Sequence, residues 1–224
     1  MIKPKAFKKT NNTKKIRACK KGTAAEAIGK IEKYTDTFVL TYGQFSLIDA
    51  LMAILDQTGP AHVVISTWTA AHADLTRSAE LLETAEILSM RMIIDRSFHT
   101  RQPEYYQHMI SLFGINSIRA INTHAKFLVI HNNNWNIVAR TSMNLNGNPR
   151  LENIEISEHE EFAKFFIDIS NEVFSEVSPG EMKSDQLSLS GIADSSRFKP
   201  ITAKPIKRKT VMEASFTHEL TEQD

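Results

Sequence analysis

A chain of 224 residues with 42% hydrophobic and 24% charged residues can bury one core of ordinary size, which excludes a chain that is disordered throughout. Its net charge of +1 hides an uneven distribution: Lys3, Lys5, Lys8, Lys9, Lys14, Lys15, Arg17, Lys20, Lys21, Lys30 and Lys33 stand against Glu26 and Glu32. Cys19 is the single cysteine, excluding an intramolecular disulfide and a cysteine-built zinc site, and no run approaches the ~18 apolar residues of a membrane span. The expectation is a soluble protein of the reducing cytoplasm.

In chain order, residues 1–22 are rich in Lys and Asn and read as a basic mobile arm suited to the phosphates of nucleic acid, or simply to keeping the protein in solution. A short helix is expected over 24–33, a strand over 37–42, and a helix from the N-cap Ser46 to the stop at Gly59-Pro60. Next come a buried strand over 62–68, a helix over 70–88 and a strand over 90–95, an alternation that suggests parallel pairing. Pro103 opens a helix that ends at Gly114. The pattern then turns to strands over 117–121, 124–130 and 135–141, the last two forming a hairpin across Asn132-Asn133-Asn134. A strand over 153–157 and a helix over 159–177 follow, the helix burying Phe162, Phe165, Phe166, Ile169, Val173 and Phe174. Residues 23–177 form the expected domain. Residues 178–224, with a second basic cluster at 204–209, read as a disordered tail.

The chemistry concentrates in the hairpin. On a strand, His124 and Lys126 share a face, as do Ser142 and Asn144 at the end of the next strand if the chain stays extended. An ammonium, a hydroxyl and an amide suit the non-bridging oxygens of a phosphodiester, and an imidazole can attack phosphorus or donate a proton. No Asp/Glu cluster of the kind that holds magnesium lies nearby, so neither a metal nor another cofactor is expected.

The run His124-Ala125-Lys126, four apolar residues, His131, then Thr141-Ser142-Met143-Asn144 resembles the phospholipase D superfamily, whose motif is His-x-Lys, four residues, Asp, then Gly-Ser-x-Asn. Single-motif bacterial endonucleases of that superfamily also open on a strand and helix similar to residues 37–57. They follow Ser-x-Asn with a Glu-Asn leading into a strand, as Glu152-Asn153-Ile154 does here. The resemblance spans residues 37–177 and departs from the motif at His131 and Thr141. It implies an α/β fold, a mixed β-sheet flanked by helices. It further implies a nucleophilic His124 forming a phosphohistidine, Lys126, Ser142 and Asn144 on the phosphate, and Glu152 orienting the imidazole. The site needs two motif copies and this chain has one, so a homodimer is implied.

Arg140 and Arg150 flank the site as candidate contacts to a substrate backbone, and Glu155 is the rival to Glu152. Tyr42, Phe45 and Trp68 read as core aromatics, Trp68 with an alternative role in stacking a base; His72, His99 and His108 read as structural or surface residues. Three functions follow: a metal-independent nuclease, a catalytically silent nucleic-acid binder, and, disfavoured by the lack of an apolar docking segment, a lipid headgroup hydrolase.

Overall fold

The computed structural model describes residues 12–145, 149–183 and 187. An eight-stranded mixed sheet forms its centre. The strands are β1 (Thr13–Cys19), β2 (Thr35–Thr41), β3 (Ala61–Thr67), β4 (Ile87–Asp95), β5 (Ile118–Ile121), β6 (Phe127–His131), β7 (Asn136–Thr141) and β8 (Glu152–Glu158), in the spatial order β1-β2-β8-β7-β6-β3-β4-β5. The pairs β1/β2, β3/β4 and β4/β5 are parallel, and the ladder from β2 through β8, β7 and β6 to β3 is antiparallel. The expected mixed sheet flanked by helices is thus the observed one.

Two of the helices begin where side chains satisfy the free amides of the first turn. Helix α1 (Ala24–Ile28) opens on Thr23 with Glu26 reaching back, and α2 (Leu47–Thr58) on Ser46 with Asp49 doing the same. Helix α2 stops at Gly59, whose φ of 73° is open to glycine at little cost. Helix α3 (His72–Glu83) ends earlier than its apolar spacing predicts. Ala85 adopts φ 58° and turns the chain, so that Ile87 and Leu88 enter β4 instead of extending the helix. A short helix α4 (Ser97–Arg101), absent from the sequence reading, precedes α5 (Pro103–Phe113), which carries proline in its first turn.

The main core lies between one sheet face and helices α1, α2, α3 and α5, with Leu47, Ile48, Leu51, Ile65, Leu75, Met92, Met109 and Leu128 fully enclosed. Helix α6 (Glu160–Glu176) covers the other face. There Ala163 and Val173 pack with Val64, Ile93, Phe127, Val129 and Val138. The small residues Ala163 and Ser170 mark the line of closest approach, letting the helix sit down on the sheet. The aromatic residues expected to be buried, Phe162, Phe165 and Phe166, flank that line half-exposed.

The N-terminal boundary differs from expectation. Thr13–Cys19 lies within the stretch read as a mobile arm, yet it forms β1, paired with β2 from Thr13↔Thr35 to Cys19↔Thr41. Alternation of Lys15 and Arg17 with Ile16 and Ala18 supports a strand once β2 supplies hydrogen-bond partners, which composition does not reveal. Residues 1–11 of that arm lie outside the described residues, as do 188–224 of the tail and its basic cluster. The first tail residues extend the fold: Met182 bridges Ala120, and the Lys183 amide donates to the Ala120 carbonyl at 3.1 Å. No described helix is long and apolar enough to cross a membrane.

Candidate active site

Register places the candidate residues at one end of the sheet. Thr41 pairs with Glu152, Thr141 with Ile154, Arg140 with Phe127, and Phe127 with Ser66. The carboxyl ends of β2, β3 and β7 therefore meet the amino ends of β6 and β8, a common place for a ligand in an α/β sheet.

His124 and Lys126 stand in a loop before β6, so the expectation that both project from one strand face is corrected. The reason is tertiary. The Thr123 amide donates to Asp95 Oδ2 at 3.2 Å, the Ala125 amide to Thr123 Oγ1 at 3.1 Å, and Ser66 Oγ to the Ala125 carbonyl at 2.8 Å. These bonds hold residues 123–125 out of the ladder, and pairing with β3 begins only at Phe127. The exposed His124 ring lies against Trp68, with centroids 5.7 Å apart. A tethered backbone with an exposed imidazole suits a group that must meet an incoming ligand.

Lys126 lines a hollow of about 420 Å³ together with Ala125, Phe127, Arg140, Thr141, Ser142, Asn153, Glu155 and Phe166. Partial burial lowers the Lys126 pKa from its ordinary value, and the Glu152 carboxylate pulls it partly back up. Glu152 stands between Ser142 and Lys126. Its carboxylate accepts a short hydrogen bond from Ser142 Oγ and stabilises the Lys126 ammonium electrostatically. Ser142 Oγ also accepts from the Asn153 amide at 3.0 Å. A hydroxyl has one proton to give, and here it goes to Glu152, so any ligand oxygen at this position must compete for it.

The remaining candidates divide. Arg140 borders the hollow, with its guanidinium donating to Glu155 Oε2 at 2.6 Å and lying over the Phe162 ring. Asn144 is outside the hollow's lining, and its Oδ1 is buried without a hydrogen-bond partner among the described residues. Its segment is docked by the Leu145 amide on the Thr69 carbonyl at 3.2 Å. Arg150 is exposed and likewise outside the lining.

The two departures from the motif have local explanations. His131 sits at the far end of β6, opposite Asn136 and stacked on His62 with ring centroids 5.2 Å apart, so it does not touch the hollow. Burial lowers its pKa, with His62 and Arg91 adding to the effect. Thr141 Oγ1 donates to the Asn153 carbonyl and accepts from the Met143 amide at 2.9 Å, a turn-closing use of the hydroxyl that glycine lacks.

Sequence reasoning missed the part played by Asn153 and Phe166, which come from β8 and α6 to line the hollow. It also placed Tyr42 and Trp68 in the core. Phe45 is buried, but Tyr42 is 50% exposed and Trp68 half-buried. Among the described residues no group of three or more His, Cys, Asp or Glu side chains is placed to hold a metal ion.

No protein-family model matches the chain, and no curated protein sequence does. Among solved structures, it is similar to Nuc, a phospholipase D family member from Salmonella typhimurium, at 14% identity and a TM-score of 0.45, over 64% of this chain and 97% of that one. It is similar to NucT from Helicobacter pylori at 16% identity and a TM-score of 0.48, over 64% of this chain and 99% of that one. A third similarity is to TrmBL2, an archaeal chromatin protein whose structure shows a mode of DNA binding, at 9% identity and a TM-score of 0.41, over 67% and 55% of the two chains. The resemblance of this chain to the phospholipase D superfamily is carried by the motif residues His124, Lys126, Ser142 and Asn144.

Proposed function

We propose that this protein is a phosphodiesterase that cleaves nucleic acid without a metal ion, through a phosphohistidine intermediate. The observation that carries the reading is the convergence of Lys126, Ser142 and Glu152 at one end of the sheet, beside a loop that presents His124. A ring nitrogen of His124 attacks phosphorus, and the P–O bond to the leaving oxygen breaks with its electron pair. Lys126 offsets the charge of the non-bridging oxygens, while Ser142 and Asn144 donate to them. Water then cleaves the P–N bond, releasing phosphate ester and free histidine. The leaving oxygen needs a proton, which the His124 of a second copy supplies, so a homodimer is the working form. Arg140, Arg150 and the lysines of the N-terminal segment hold the polymer backbone, with a cytoplasmic setting.

Plasmid DNA and a single-stranded circular DNA, each incubated in EDTA, test this reading. Cleavage is expected from the wild type and not from His124→Ala, in a preparation that light scattering shows to be dimeric. Equal cleavage by both proteins, or none by either, refutes it. A second reading, a phosphate pocket that grips nucleic acid without cutting, draws on the engagement of the Ser142 proton by Glu152. It predicts salt-dependent binding in the same sample with the plasmid left intact.

A further inference from the structure

Trp68 leaves the carboxyl end of β3 beside the His124 ring, and Arg101 leaves the end of α4 to lie on it. The guanidinium carbon is 3.9 Å from the centre of the indole, close enough for face-to-face contact. Arg101 is fixed there by two hydrogen bonds, Nη2 to the Trp68 carbonyl at 3.0 Å and Nε to Ser97 Oγ at 3.0 Å. Both acceptors are neutral, so these bonds leave its positive charge uncancelled. Arg101 is exposed.

The pair is also tied to the nucleophile. Ser97 Oγ donates to Asp95 Oδ1, and the other oxygen of that carboxylate accepts from the Thr123 amide next to His124. One carboxylate thereby sets the Arg101 support and the His124 loop in a common frame. A second cation lies near an aromatic ring at the end of β2: Lys20 Nζ is 5.7 Å from the ring centre of Tyr42, which follows the β2 residue paired with Glu152.

Every nucleobase has a π-face, and arginine planes and aromatic rings are the surfaces on which proteins stack unpaired bases. A base already stacked within a duplex reaches such a surface only after unstacking, at a cost of a few kcal/mol. We propose that Trp68 and Arg101 form a stacking platform for a base next to the phosphate bound at His124, and that single-stranded nucleic acid is therefore the preferred polymer. This rests on the phosphodiester reading of the site and adds what lies beside the phosphate.

The test uses the full chain with Trp135→Phe, which leaves Trp68 as the sole tryptophan, since the sequence contains two. His124→Ala is added to prevent turnover. Tryptophan emission is followed on titration with a thymidine 12-mer, with an abasic strand of equal charge, and with a 12-base-pair duplex. The base-bearing strand is expected to quench Trp68 and to bind about tenfold more tightly than the abasic strand. Arg101→Ala is expected to abolish most of that difference, and Arg101→Lys to do the same, because it keeps the charge and loses the plane. Unchanged circular dichroism establishes that both variants fold.

Equal affinity for the base-bearing and abasic strands, an unquenched Trp68, or tighter binding of the duplex overturns the proposal. Quenching by the base-bearing strand in a protein that leaves DNA uncut under EDTA refutes catalysis and retains the platform. Cleavage without quenching does the reverse.

Discussion

The Ser142–Glu152 hydrogen bond allows a quantitative test of the site. Replacing Ser142 with Ala removes the donor to the Glu152 carboxylate and the acceptor of the Asn153 amide, both at part-buried positions. A hydrogen bond to a charged group contributes about 1.5–3 kcal/mol and a neutral one about 0.5–1.5 kcal/mol, so the loss is ~2–4.5 kcal/mol if water does not replace either partner. In a domain of this size each kcal/mol lowers the melting temperature by roughly 2–4 °C, giving an expected fall of roughly 4–18 °C. Glu152→Ala removes the charged acceptor alone. Thermal unfolding of the wild type, the two single variants and the double variant closes a cycle, in which contact residues show a coupling of about 0.5–3 kcal/mol. Strict additivity would show that the hydroxyl and carboxylate do not interact, and the idea that phosphate must displace Glu152 from Ser142 would fall with it.

Further expectations follow from the charges. Glu152→Gln removes the carboxylate that holds the Lys126 pKa up against burial, so phosphate binding and any cleavage are lost at a lower pH than in the wild type; an unmoved alkaline limb in the pH profile contradicts this. His131 has a lowered folded pKa, so stability that is full above its unfolded value near ~6.5 declines as pH falls toward the folded value. His131→Asn should flatten that acid decline in urea unfolding measured between pH 5 and 8, with plasmid cleavage unchanged. Glu158 is 4% exposed and accepts from Lys33 Nζ and the Tyr34 amide, each at 2.9 Å. Glu158→Ala is expected to cost about 1.5–3 kcal/mol in equilibrium unfolding, and a loss under 0.5 kcal/mol would contradict the buried network.

How much of this was legible beforehand depended on where each residue finds its partners. Helix α2 was readable because Ser46, Asp49 and Gly59 carry local signals for its start and stop. The hairpin was readable from Asn132, whose side chain accepts from the Asn134 and Trp135 amides at 2.9 Å. His124-Ala125-Lys126 was misread as strand because nothing within the run interrupts the β pattern of Phe127-Leu128-Val129. The interruption comes from Ser66 and Asp95, distant in sequence. β1 was hidden by its lysines for the same reason, since its partner β2 begins only at Thr35. The site's residue types were present in the motif, but the partition of Glu152 between Ser142 and Lys126 is a matter of three-dimensional placement.

The strand order has a consequence for how the protein forms. β8 is the last of the described strands in sequence, and it lies between β2 and β7, pairing Thr41 with Glu152. During synthesis the two sides of the sheet emerge as separate pieces, each with an unpaired edge waiting for a segment more than a hundred residues beyond β2. Such distant pairing makes folding slow and leaves nascent edges open to wrong partners, a hazard that a chaperone or rapid emergence of β8 would relieve. The same strand delivers Glu152 to Ser142. The site therefore does not exist in any partly made sheet, and becomes complete in the step that joins the two halves.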